Sequence, residues 1–400
     1  MQLQSIYFHV PYCGFLCHYC DFAKTANYSP KHSQNYFATC LDHLRSWLIY
    51  LTENKMLGPQ IKTLYFGGGT PSLFADEYRP IFKELSPLLN DETEITFEAN
   101  PRDLIAAKLE TWQQLRINRL SVGVQSFHPQ GLKILTRDHQ AADCLKGIEL
   151  AQKYIENLNI DLIYGWPGQT LEDWLKDLKI ALNMGPKHLS LYCLTFAAGT
   201  PLGRAEARQK IKACPDELLE EFYLAACELL AKNGYIHTEI SNWHQPGFHS
   251  QHNQAYWQMN YYLGIGPGAH GFLPAQNESI GLRFAYNKND RSFLNTELLL
   301  MEGEASIGKL DFLTIDERDA KGWLLECIAN GIRTAKGVNL SRIEKTIGFK
   351  FVTSPLINNA LKEGELQIIE RGKEQFLVLK EKEWFREQSW SLLVFDCFQS

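Results

Sequence analysis

The sequence predicts an α/β fold: a partial (β/α)6 barrel, then an α+β extension and a small C-terminal domain of helices and a hairpin. Three observations lead there. Short β-branched or apolar runs alternate with helical segments from residue 6 to about residue 195. Polar and glycine-rich motifs follow one strand after another, at the C-terminal ends where barrels of this kind gather their working groups. After about Glu297 the pattern changes to short helices. At roughly 100–200 residues per domain the chain accommodates two or three, and we divide it into 1–205, 206–296 and 297–400.

Strands are expected near Ile6–Val10, Thr63–Phe66, Glu94–Glu98, Arg119–Val124, Leu158–Ile163 and His188–Leu194. Between the first two, Phe37, Cys40, Leu41, Leu44, Leu48 and Leu51 recur at helical spacing and form one buried stripe. The first strand runs into Cys13-x3-Cys17-x2-Cys20. A [4Fe–4S] cluster prefers a thiolate on each of four irons, so three cysteines hold three irons and leave one corner open. Zinc would need a fourth ligand, from His9 or His18, and lacks a second ligand pair nearby. Ten cysteines in 400 residues are too dilute for a disulfide framework. Cys40 reads as core, and Cys144, Cys193, Cys214, Cys227, Cys327 and Cys397, scattered singly, read as small buried hydrophobes.

The cysteine spacing resembles that of radical S-adenosylmethionine (SAM) proteins. The resemblance implies that the open iron holds the amino and carboxylate groups of SAM, whose reductive cleavage gives a 5′-deoxyadenosyl radical. The other strand ends suit such a ligand. Gly67-Gly68-Gly69 lets backbone approach closely, and Thr70 adds a hydroxyl; the motif is no P-loop, because no Gly-Lys-Ser/Thr follows. Glu98 offers two acceptor oxygens, Gln125 both donates and accepts, and Arg137 suits a carboxylate. Asp161 ends an otherwise apolar strand; its bland alternative is a capped turn.

Together, Tyr7-x-His9-x-Pro11-x-Cys13-x3-Cys17-x-Tyr19-Cys20, Gly-Gly-Gly-Thr-Pro, Glu98-Ala-Asn-Pro, Ser121-Val-Gly-Val-Gln-Ser, Arg137-Asp-His139 and Asp161-Leu-Ile-Tyr-Gly-x-Pro-Gly-Gln-Thr are similar to the oxygen-independent coproporphyrinogen III oxidase superfamily. The full expectation is therefore a partial (β/α)6 radical-SAM barrel with an α+β extension and a small C-terminal winged-helix-like domain. The resemblance implies that Tyr7, Gly68 and Glu98 contact cluster-bound SAM, and that Tyr19, Gly69, Thr70, Gln125, Arg137 and Asp161 match a second SAM position. The oxidase branch carries a further cysteine two residues after the third, where this chain has Phe22. Trp166 and Pro267 also depart from the usual residues, and Trp166 is expected to alter the pocket.

Downstream, His252-Asn-Gln-Ala-Tyr256-Trp257 and Leu263-Gly-Ile-Gly-Pro-Gly-Ala-His270-Gly resemble segments of the heme-chaperone branch. That implies a chaperone carrying a [4Fe–4S] cluster, SAM and heme, which hands heme to client proteins. The alternative is decarboxylation of coproporphyrinogen III. An exposed imidazole at His252 would ligate heme iron, with Tyr256 and Trp257 covering the porphyrin; otherwise His252 orders a loop and the aromatics pack. His237, His244, His249 and His270 compete for the axial role.

A net charge of −6 gives no basic footprint for nucleic acid. A helix from Pro215-Asp216 to Asn233-Gly234 should pack on the barrel, and Asn287–Arg291 is the expected linker. The C-terminal helices are expected at Asp316–Asn330, Leu340–Ile347 and Pro355–Glu363, with a hairpin of Leu366–Glu370 and Gln375–Leu379. Near-balanced charge from Gly331 onward favours a partner or substrate cover over DNA. With the first strand close behind Met1 and no apolar run near the roughly 18 residues of a membrane span, the expectation is a cytoplasmic, reduced protein. Membrane contact would come through its clients, and a homodimer is compatible with the chain.

Overall fold

The structure is a computed structural model that describes residues 2–274, 280–294 and 313–399. Its core sheet contains β1 (Ser5–Val10), β2 (Thr63–Gly68), β3 (Glu94–Ala99), β4 (Arg119–Gln125), β5 (Asn157–Tyr164), β6 (His188–Cys193), β7 (Ile236–Glu239), β8 (Asn242–His244) and β9 (Leu263–Ile265). The spatial order is β7-β8-β6-β5-β4-β3-β2-β1-β9. Strands β1 to β6 run parallel, each paired with the next. β9 adds to β1 in parallel, whereas β8 is antiparallel to β6 and β7 to β8. The barrel is thus partial, with β7 and β9 as its edges.

Period-two alternation builds this sheet with two different faces. Ile6, Phe8, Leu64, Phe66, Ile95, Phe97, Leu120 and Val122 belong to one buried apolar core with residues of the surrounding helices. The alternate positions are polar and bond to one another inside the barrel. Ser121 donates to Asp161, Asn159 donates to Ser121, and Ser190 donates to Asn159 and Asn242. Both faces are buried, as βαβ crossovers require.

Helix Pro30–Glu53 starts where the Ser29 hydroxyl accepts the His32 N–H and Pro30 fills a position needing no donor. It buries Phe37, Cys40, Leu44 and Leu51 as expected, together with His43, Trp47 and Tyr50, whereas Leu41 and Leu48 of the expected stripe are only half-buried. The helix after Pro215 spans Asp216–Lys232. The extension is not a separate layer, since its β9 completes the core sheet; it continues into an antiparallel sheet of β10 (His270–Leu273), β11 (Gly281–Tyr286) and β12 (Leu313–Arg318).

Two local expectations are overturned here. The polar stretch Asn287–Arg291 is no linker: Asp290–Leu294 is helical and anchors Phe293 against Tyr36, His43 and Tyr286. Asp316 to Arg318 belong to β12, and the helix begins at Ala320, capped by the Asp319 carboxylate accepting the Gly322 N–H. The expected boundary between 296 and 297 lies outside the described residues, and residue 205 falls within helix Pro201–Ala207.

The C-terminal part has the element order of a winged helix: Ala320–Gly331, β13 (Val338–Asn339), Leu340–Ile347, β14 (Lys350–Phe351), Pro355–Glu363, β15 (Leu366–Arg371) and β16 (Glu374–Leu379). β13, β16 and β15 form its sheet, while β14 pairs with β17 (Phe398–Gln399). Backbone bonds from Ile240 to Arg333 and from Ala335 to Thr238 splice it to the barrel edge.

Trp47 ties helix Pro30–Glu53 to the extension. It is fully buried, stacks on Phe284 at 5.0 Å and donates its indole N–H to the Tyr286 hydroxyl at 2.9 Å. Trp47→Ala should therefore destabilise the chain by about 3–5 kcal/mol, read as a lower urea midpoint; an unchanged midpoint would mean that the extension does not depend on this contact.

Candidate functional site

The cysteine loop is fixed at its base by backbone. Gly69 N–H donates to Val10 O at 2.7 Å and Thr70 N–H to Tyr12 O at 2.8 Å. Cys13 and Thr25 close the loop through bonds of 2.9 Å to Thr25 O and 2.7 Å to Pro11 O. A Cβ on Gly69 would stand 2.7 Å from Tyr12 O, and Gly68 has φ +109° with the His9 ring filling the space a side chain would need. These two glycines are required by the protein's own packing, not only by a ligand's approach.

Cys13, Cys17 and Cys20 all line one cavity of about 560 Å³ at the C-terminal ends of the strands. Tyr19, Gly68, Gly69, Thr70, Glu98, Gln125, Arg137 and Asp161 line it too. Of the residues expected around SAM, Tyr7 stands apart, in an adjoining pocket of about 350 Å³ that meets the chamber at Gly68 and Glu98.

The donor set fits a three-thiolate cluster. All ten cysteines are free. Burial pushes the Cys13 thiol up to about 11, so the site favours a positively charged ligand that would restore thiolate. Arg137 Nη1 lies 3.2 Å from Cys17 Sγ, and the Lys24 ammonium donates to Cys20 O. The zinc alternative loses His9, whose Nε2 lies 2.7 Å from Ala23 O and whose Nδ1 lies 3.0 Å from the Tyr7 hydroxyl. His18 does not line the cavity. Phe22, where a fourth cysteine would stand in the oxidase branch, is 61% exposed at the mouth.

Two carboxyls line the same chamber. Glu98 accepts from the Tyr65 hydroxyl and from Gly68 N–H, each at 2.9 Å. Burial, and then the neighbouring Asp161, push it up to about 7. Asp161 accepts from Ser121 at 3.0 Å and Asn159 at 2.7 Å, and burial raises it also. It is part of the barrel's internal network and faces the cavity, not a capped turn. Gln125 has φ +70° at a register shift in β4, an uncommon conformation for a side-chain-bearing residue, and its buried Oε1 has no hydrogen-bond partner among the described residues. Arg137 is not free to grip a carboxylate as expected, because Nη1 and Nη2 are engaged by Cys17 and by Gly123 O, the latter at 2.8 Å.

The residues expected to hold heme are arranged otherwise. His252 is not an exposed imidazole: it is 1% exposed, with Nδ1 2.7 Å from Thr63 Oγ1 and Nε2 2.7 Å from the Tyr256 hydroxyl. Burial drives it down to about 3. With both nitrogens used it ties helix Gln251–Trp257 to β2, and Tyr256 packs edge-on against Tyr262. Trp257 lies beneath the Arg333 guanidinium at 5.9 Å. Trp166 does not itself line the chamber; it is buried behind it with Leu135, Ile163, Leu194 and Leu202, of which Ile163 and Leu194 are on the chamber wall.

The chamber contains groups not anticipated from sequence, among them Lys24, Tyr65, Tyr192 and Cys193. Tyr65 and Tyr192 fall on the same period-two face as Thr63 and Ser190, which is the signal that finds them.

Because folded Glu98 binds its proton more tightly than the unfolded chain does, cluster-free protein should lose stability as pH rises from about 4.5 to about 7. The loss is at most about 3–4 kcal/mol, at about 1.4 kcal/mol per pKa unit. Glu98→Gln should flatten that slope in urea titrations across the window. A variant with the wild-type slope would place the titration elsewhere.

Comparison with known proteins agrees with this geometry. The Radical SAM superfamily profile matches residues 7–181. The chain is 33% identical to "Heme chaperone HemW" of Haemophilus influenzae, across 92% of this chain and 94% of that protein. It is 35% identical to the Escherichia coli protein of the same name, across 74% and 76%. The solved coproporphyrinogen III oxidase (HemN) of Escherichia coli superposes with a TM-score of 0.73, at 19% identity, covering 99% of this chain and 90% of that one, a likeness of fold. On sequence shared along nearly its whole length, the chain belongs to the HemW family of the radical SAM superfamily.

Proposed function

We propose that this protein is a heme chaperone that carries a [4Fe–4S] cluster on Cys13, Cys17 and Cys20, binds SAM in the chamber and passes heme to client proteins. The observation that carries the proposal is the relation to the Haemophilus influenzae heme chaperone over 92% of the chain. The three-cysteine cavity wall and the carboxyls facing it support the cofactor assignment. Bound there, the cluster would supply an electron to the sulfonium of SAM. The chain's own groups orient such a ligand. Glu98 and Asp161 accept from the amino group, whose charge offsets the burial that raises both carboxyls, while Gly68 and Gly69 keep side chains out of its path. Arg137 holds Cys17 in place.

Phe22 argues against the decarboxylase, since it removes the additional thiol of that branch. In its place stands an apolar rim of Phe15, Leu16 and Phe22, 49%, 40% and 61% exposed, suited to a client or to a porphyrin face. We place the protein in the cytoplasm, with membrane contact only through clients and dimerisation as an accessory state. Among the described residues no helix is long and apolar enough to cross a membrane.

The deciding experiment incubates anaerobic, cluster-loaded protein with SAM, reductant and coproporphyrinogen III, and separately measures transfer of bound heme to a heme-free acceptor. Heme transfer without decarboxylation is expected; repeated decarboxylation would make the protein an oxidase despite Phe22. Cys17→Ala should lose the cluster's visible absorption and its iron and sulfide. A variant that kept a full cluster would refute the ligand set.

A further inference from the structure

We infer that heme sits in the pocket beside the chamber, with His270 as axial ligand to the iron, Phe22 against the macrocycle and Lys288 on a propionate; this rests on the heme-chaperone reading above. A porphyrin needs a free imidazole, aromatic or apolar faces and a cation for its carboxylates.

Of the five histidines between 237 and 270, four are unsuited. His237 stacks on Trp243 at 3.9 Å and pairs with Glu381 at 2.6 Å. His244 is buried, with Nδ1 2.7 Å from Gln245 O. His252 spends both nitrogens internally. His249 is exposed, but it packs beside His244, which lies opposite His188 at the start of β6, the end of the sheet away from the chamber.

His270 is exposed at the start of β10, and among the described residues its ring makes no hydrogen bond. It lines the pocket of about 350 Å³ together with Tyr7, Phe22, Tyr256, Tyr262 and Lys288. Partial burial beside Arg283 and Lys288 lowers its pKa, which keeps the ring neutral and its lone pair available. Lys288 forms no ion pair among the described residues. Asp21, also on the pocket wall, repels carboxylates and so directs the propionates toward Lys288. Phe22 and Asp21 line both cavities, so heme in the pocket would adjoin the cluster chamber. Tyr256 thus keeps a part in heme contact, as a wall of this pocket, while His252 only holds Tyr256 in place.

The test is a hemin titration of anaerobic, cluster-loaded, full-length protein, followed by the Soret band and by resonance Raman. Wild type should bind one equivalent with histidine ligation. His270→Ala should lose that ligation and bind at least tenfold more weakly, and His270→Gly should regain the histidine-type spectrum with added imidazole. Lys288→Ala should bind severalfold more weakly with the spectrum unchanged. Wild-type spectrum and affinity in both His270 variants would overturn this inference while leaving the chaperone reading intact. A wild-type protein that binds no heme would overturn both.

Discussion

No side chain fits between Gly69 and the carbonyls of Val10 and Tyr12, and the rest of the site follows from that contact. It sews the end of β2 to the start of the cysteine loop, so the loop's position is inherited from the register of a parallel sheet. Parallel strands finish at the same end of the barrel. Once Tyr12 and Thr70 are joined, Cys13 shares one chamber with Glu98 and Asp161.

The chamber lining carries two kinds of group: three thiols with Arg137 and Lys24 near them, and two carboxyls, Glu98 and Asp161, raised by burial. Burial penalises the charged forms of Cys13 on the one side and of Glu98 and Asp161 on the other. A bound cluster and a zwitterionic cofactor would relieve both at once, the iron taking up thiolate charge and an ammonium taking up carboxylate charge. The unpartnered Gln125 oxygen and its left-handed backbone belong to the same local strain, of the kind that sites retain when a ligand completes them.

The strands are legible because a parallel sheet buried on both sides leaves long apolar alternation in the sequence. All six predicted strands match observed ones to within about two residues. The cysteine spacing and rim motifs are legible because each is local. What the sequence conceals is long-range. The burial of His252 depends on Thr63, 189 residues away, and on Glu94 accepting the N–H groups at the start of its helix; no feature of the His-Asn-x-x-Tyr-Trp segment announces either partner. Asn287–Arg291 resembles a linker because its polar composition hides Phe293, whose pocket is assembled from Tyr36, His43 and Tyr286. Arg137 reads as a free fork because its acceptor at Gly123 is created by the fold.

The pairing of β9 with β1 carries a consequence for synthesis. Strand β1 is not an edge of the finished sheet; it lies between β2 and a strand that begins at Leu263. As the chain leaves the ribosome, the outer side of β1 remains without its neighbour until Leu263–Ile265 has been translated. The cysteine loop, which continues directly from that strand, therefore reaches its final setting late. Cofactor insertion is accordingly a step that follows translation of the segment that closes the barrel's first edge.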